Sequence, residues 1–79
     1  MKIITVYFHS KEKSVTTIFY ARDLLYYCLE NERVELRFVG GVIGGFIYED
    51  NFIGFRNFLH EETNSMFFFE LYGEKENGI

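Results

Sequence analysis

The sequence predicts a small, mainly β domain: an antiparallel roll or barrel with one or two short helices. An α+β, ferredoxin-like βαββαβ order is the alternative. Runs rich in β-branched and aromatic residues recur at positions 3–8, 15–20, 34–39 and 66–72. Polar or glycine-containing breaks separate them. A chain of 79 residues has room for one domain, placed at 1–72, with 73–79 as a flexible tail.

Positions 3–8 read as a strand, and the polar stretch from His9 to Ser14 reads as a turn. Positions 15–20 return as the partner strand of a hairpin. The stretch 21–32 is open. As a helix, Tyr20, Ala21, Leu24, Leu25, Tyr27, Cys28 and Leu29 share a broad face. As a strand it is apolar on both sides from Leu24 to Leu29, which suits a buried strand.

Positions 34–39 give the clearest alternation. Val34, Leu36 and Phe38 point one way, and Glu35 and Arg37 the other. Gly40-Gly41 suits the positive φ of a two-residue hairpin loop, with 42–48 as the returning strand. Gly44 and Gly45 inside that run indicate a bulge or close backbone packing. The stretch 52–59 is again open. As a helix it aligns Phe52, Phe55, Phe58 and Leu59, with Asp50 or Asn51 as cap. Positions 66–72 close the domain as a strand.

If both open stretches are strands, an antiparallel roll or barrel of about five to seven strands follows. If both are helices, the order is ferredoxin-like. Three segments bear on this choice: Ile4-Thr5-Val6-Tyr7-Phe8, then Phe19-Tyr20-Ala21-Arg22-Asp23-Leu24, then the run from Val42 to Phe55. Together they resemble small β-roll proteins of low-GC Gram-positive bacteria and their phages. The resemblance extends to about residue 58. It implies a β-roll and a mobile-element origin, and it brings no activity with it.

Composition narrows function. Hydrophobic residues are 48% and aromatics 20% of the chain, with ten Phe and six Tyr. That is more apolar material than one small core hides, so an exposed patch or subunit contact is expected. The net charge of −4 argues against a phosphate-backbone binder and against an anionic membrane surface. No apolar run approaches the ~20 residues a membrane span needs. A lone cysteine, Cys28, makes no internal disulfide, so a cytoplasmic protein is expected.

Catalytic and metal readings lack a constellation. The glycine cluster from Gly40 to Gly45 has neither the Gly-Lys-Ser/Thr of a phosphate loop nor a dinucleotide-turn spacing. Cys28 with His9 or His60 would make a nucleophile and base, but Cys28 lies in an apolar stretch where a thiol is usually inert filler. His60-Glu61-Glu62 reads as a solvated turn sooner than a metal site. No enzyme activity, cofactor or metal is expected.

The run Met66-Phe67-Phe68-Phe69-Glu70-Leu71-Tyr72 carries the functional expectation. In a strand, Phe67, Phe69 and Leu71 line one face, and Met66, Phe68, Glu70 and Tyr72 the other. The second set, with Glu61 and Glu62, is the candidate protein contact, for a partner or a homodimer. A small helix or another strand covering that face is the competing reading. The acidic residues, Glu30 and Glu32 among them, would meet a basic partner. The expected function is therefore a non-enzymatic protein-binding module, an accessory protein of a phage or mobile element that inhibits or modifies a host factor. The alternative is a small nucleic-acid-binding barrel or sheet using Lys2, Lys11, Lys13, Arg22, Arg33 and Arg37 on phosphates.

Overall fold

A computed structural model describes residues 1–61 and 64–73. Its elements run β1 (Ile3–His9), β2 (Ser14–Tyr20), a 3-10 turn (Ala21–Asp23), β3 (Leu24–Glu30), β4 (Arg33–Phe38), β5 (Gly41–Phe46), α1 (Glu49–His60) and β6 (Met66–Tyr72). The domain is mainly β, as expected. Of the expected tail at 73–79, Gly73 is described and its amide donates to the His9 carbonyl at 2.7 Å, while positions 74–79 lie outside the described residues.

The strands form one sheet in the order β2-β1-β6-β5-β4-β3. The β1–β2 hairpin pairs Ile3 with Tyr20 through to His9 with Ser14. Its loop is closed by the Ser10 amide donating to the Lys13 carbonyl at 2.9 Å and the Lys13 amide donating to Ser10 Oγ at 3.2 Å. One departure from a purely antiparallel sheet is central: β6 lies parallel to β1. β6 inserts between β1 and β5, and the direction that makes it antiparallel to β5 makes it parallel to β1.

β5 and β6 share a single paired position, Phe46 with Tyr72. The sheet is therefore two halves, β2-β1-β6 and β5-β4-β3, joined at that corner. Gly45 is what the corner requires: a Cβ there would lie 2.9 Å from the Tyr72 carbonyl oxygen and 3.2 Å from Leu71 Cβ. Of the two expectations for this glycine pair, close backbone packing applies at Gly45.

The two open stretches resolve differently. Positions 24–30 become a strand, paired with β4 through a bulge between Leu24 and Tyr26. It is an edge strand, not a buried one, and Leu25, Tyr26 and Leu29 are exposed. The local cause is the loop after it. Asn31 and Glu32 both adopt left-handed backbone, φ 53° and 64°, the conformation a two-residue hairpin loop needs. The left-handed loop expected at Gly40-Gly41 sits here instead. The β4–β5 loop is Val39 and Gly40, with Gly41 already paired to Phe38.

Positions 49–60 become a helix, with Phe52, Phe55 and Phe58 on its buried side. The expected caps do not act. Tyr48 holds the N-cap position with extended backbone and no side-chain cap bond, and its carbonyl accepts from the Asn51 and Phe52 amides. The helix starts early enough to place Asp50 and Asn51 in its first turn. The other end is capped from far away. Lys2 Nζ donates to the Phe58 and Leu59 carbonyls at 2.7 and 3.1 Å. A cation there also complements the helix dipole.

The core lies between the half-sheets and under α1. Ile4 and Val6 of β1, Val34 and Leu36 of β4, Phe69 and Leu71 of β6, and Phe55 of α1 are fully buried. Phe55 bridges the halves, with its ring 4.7 Å from Phe69 and 5.6 Å from Tyr27 of β3. On the far side, Phe19 of β2 stacks on Phe38 of β4 at 4.5 Å. No helix of the described residues is long and apolar enough to cross a membrane.

Candidate functional site

The outer face of β2-β1-β6 follows from strand alternation and register. With Ile4 and Val6 inward, β1 turns Ile3, Thr5, Tyr7 and His9 outward. The pairing sets each of these between one residue of β2 and one of β6. Ile3 lies between Tyr20 and Met66, and Thr5 between Ile18 and Phe68. Tyr7 lies between Thr16 and Glu70, and His9 between Ser14 and Tyr72.

These rows divide the face into two ends. At the polar end Glu70 is already engaged. Tyr72 donates its hydroxyl to Glu70 Oε2 at 3.1 Å, and His9 Nε2 stands 3.4 Å from the same oxygen, an ion pair when the imidazole is protonated. The His9 and Tyr72 rings stack at 5.4 Å. At the apolar end the side chains are exposed among the described residues. Ile18 is 66% exposed, Met66 55% and Phe68 53%. Thr5, between Ile18 and Phe68 in the register, is nevertheless buried. Tyr7 stacks on Phe68 at 6.0 Å.

α1 does not cover this face. The helix packs on the opposite side of β6, with Phe55 against Phe67 at 5.6 Å and Phe58 against Phe67 at 5.5 Å. The alternation expected along β6 is the one observed: Phe69 and Leu71 are buried, and Met66, Phe68 and Glu70 are exposed.

The other half-sheet presents a different surface. Tyr26 donates its hydroxyl to Glu35 Oε2 at 2.9 Å and accepts from Arg37 Nε at 3.2 Å. That hydrogen bond from Arg37 to Tyr26, with the Tyr26 and Glu35 charges, raises the Arg37 guanidinium above its ordinary value. Arg33 lies over the Phe46 ring at 6.0 Å. A shallow groove of about 380 Å³ runs here, lined by Cys28, Glu30, Arg33, Glu35 and Phe46 among others. Cys28 is exposed opposite Glu35, not buried in an apolar stretch as its neighbours suggested.

Of the residues expected to form a contact, Met66, Phe68, Glu70 and Tyr72 share the outer face of β6. Glu61 lies at the C-terminal cap of α1, and its amide donates to the Asn57 and Phe58 carbonyls. Glu62 lies outside the described residues. Sequence reasoning missed Ile3, Ile18 and Tyr20. In β2 both alternating sets hold an aromatic or a β-branched residue, so its pattern does not show which set faces out. Of the basic residues considered for phosphates, Lys2 is committed to the end of α1.

No family model matches the chain, and neither a curated protein nor a solved structure matches it.

Proposed function

We propose that this chain is a non-enzymatic protein-binding module whose contact surface is the apolar end of the outer β2-β1-β6 face. One observation carries the reading. Ile18 and Phe68 flank Thr5 in a single cross-strand row and stay exposed, while α1 is spent on the opposite face. Exposed apolar rows of this kind mark interaction sites. Phe, Tyr and Met with little charge is the composition of an interface core. Glu70 at the margin and the net charge of −4 suit a partner with a basic rim. Together with the resemblance to phage-associated β-rolls, the partner class is a host protein that an accessory protein inhibits or modifies.

The test starts from capture of partners out of nuclease-treated host lysate. The captured protein is then titrated with wild type and with the double variant Ile18→Ser, Phe68→Ser. Loss of affinity of about tenfold or more is expected, the scale of a buried hot spot. The circular-dichroism spectrum should be unchanged. Wild-type affinity in the double variant would move the contact off this face.

A further inference from the structure

The sheet order ends in β2 on one side and β3 on the other, and the two edges are unlike. β3 is interrupted by the bulge between Leu24 and Tyr26 and ends on Glu30. Bulges and charges are how sheets protect their edges from further pairing. β2 has neither. It runs Ser-Val-Thr-Thr-Ile-Phe-Tyr, seven residues in unbroken register with β1, without a charge or a proline.

The hairpin also fixes what this edge offers. The Ser10 amide bonds to the Lys13 carbonyl at one end, and the Ala21 amide bonds to the Lys2 carbonyl at the other. These mark the hydrogen-bonded pairs of the ladder, which alternate along an antiparallel hairpin. The amides and carbonyls of Val15, Thr17 and Phe19 therefore face β1. Those of Ser14, Thr16, Ile18 and Tyr20 face away from it. Hollows of about 450 and 270 Å³ flank β2 towards the β4–β5 hairpin, one lined by Ile18, Phe19 and Val39, the other by Val15, Thr17 and Val42.

We propose that β2 pairs antiparallel with β2 of a second copy of this chain, about a two-fold axis at Thr17. In that register Thr16 faces Ile18 of the second copy, and Ser14 faces Tyr20. These are the residues whose backbone groups point outward, so the ladder closes with the narrow hydrogen-bonded pairs where they are needed. Val15 meets Phe19 on the inner side. Parity is kept, and the outer face of one copy continues into the outer face of the other.

The charge pattern favours a second copy over an unrelated strand. A chain of net charge −4 repels itself, yet no charged residue of β2 meets another across this axis. Beyond the strand, the β1–β2 loop of one copy meets the 3-10 turn of the other. That places exposed Glu12 near exposed Arg22 of the second copy. An edge that is uncharged, reversible about its centre and complementary at both ends is what an isologous contact requires.

Ile18 lies on both surfaces, so Thr16 for the edge and Phe68 for the face tell the two readings apart. Sedimentation velocity of the full chain across a concentration series reads the dimer directly. Hydrogen exchange reads the edge. Wild type is expected to move from monomer to dimer, with exchange at the Thr16 and Ile18 amides slowing as concentration rises and the outward amides of β3 unchanged. Thr16→Pro removes an outward donor without touching the β1 ladder, and Thr16→Lys places a charge on the edge. Both are expected to stay monomeric where wild type is dimeric, with the circular-dichroism spectrum kept and partner capture intact. A wild type that is monomeric throughout overturns the inference and leaves the proposed function standing. A dimer that survives both Thr16 variants but is lost in Phe68→Ser also overturns it, placing the contact face to face.

Discussion

The two half-sheets turn outer faces of equal strand number and opposite character to their surroundings. On β5-β4-β3, Tyr26 and the half-buried Phe46 have polar company, while Leu25 and Val42 are exposed singly. Tyr26 bridges Glu35 and Arg37, and Arg33 lies over Phe46. On β2-β1-β6 the polar groups gather at one end, around Glu70, and leave Ile18, Met66 and Phe68 bare at the other. Both halves share one core through Phe55, so the contrast does not come from a shortage of interior. A surface arranged like the first is settled in water. A surface arranged like the second is finished only by contact with something else.

The largest effect is expected where the halves are joined. Phe55→Ala removes a fully buried ring that touches both, and should cost about 3–5 kcal/mol in chemical denaturation. Both outer faces should lose their distinct behaviour together. A loss confined to one half, seen by residue-resolved hydrogen exchange, would show that the halves are not one cooperative unit. Next comes the corner. Gly45→Val drives side-chain atoms into the Tyr72 carbonyl and Leu71, and should cost about 1–3 kcal/mol. If the variant is as stable as wild type, the β5–β6 junction yields more easily than its spacing indicates.

A smaller effect, of opposite sign, is expected in the β3–β4 loop. Glu32 holds a left-handed φ of 64° that glycine adopts freely, so Glu32→Gly should raise stability by about 0.5–1 kcal/mol. A fall instead would mean that the Glu32 side chain contributes more than its backbone costs. The finest test sets the faces against each other. Phe68→Ser should weaken partner capture and leave the denaturation midpoint nearly unmoved. Tyr26→Phe, which removes the hydroxyl between Glu35 and Arg37, should change neither. Equal loss of capture in both variants would erase the distinction between the faces.

Much of this was legible from the chain. Period-2 alternation in 34–38 placed Val34 and Leu36 in the core, and in the helical one of two open readings the spacing of Phe52, Phe55 and Phe58 gave a shared face. The same reasoning failed at 24–30. Leucine and tyrosine there satisfy either period, and the loop that settles the matter, Asn31-Glu32, lacks the glycine that usually announces it. It failed at the β4–β5 loop for the converse reason. Gly40-Gly41 is a strong turn signal, yet pairing of Phe38 with Gly41 moved the loop back by one residue.

The sequence by itself determined the strands at 3–8, 15–20, 34–38 and 66–72 and that β6 has two apolar faces, and left 24–30 and 52–59 open between strand and helix. Those are local matters, decided by side-chain period and backbone preference. Only the tertiary structure decided which of those faces is exposed. Phe67 and Phe68 are chemically identical neighbours on opposite sides of one strand. The side on which α1 packs made Phe67 part of the interior and left Phe68 outside. Within 66–72 only Glu70 marks the outward set, and the packing of the preceding helix, α1, is what makes the two apolar faces unequal.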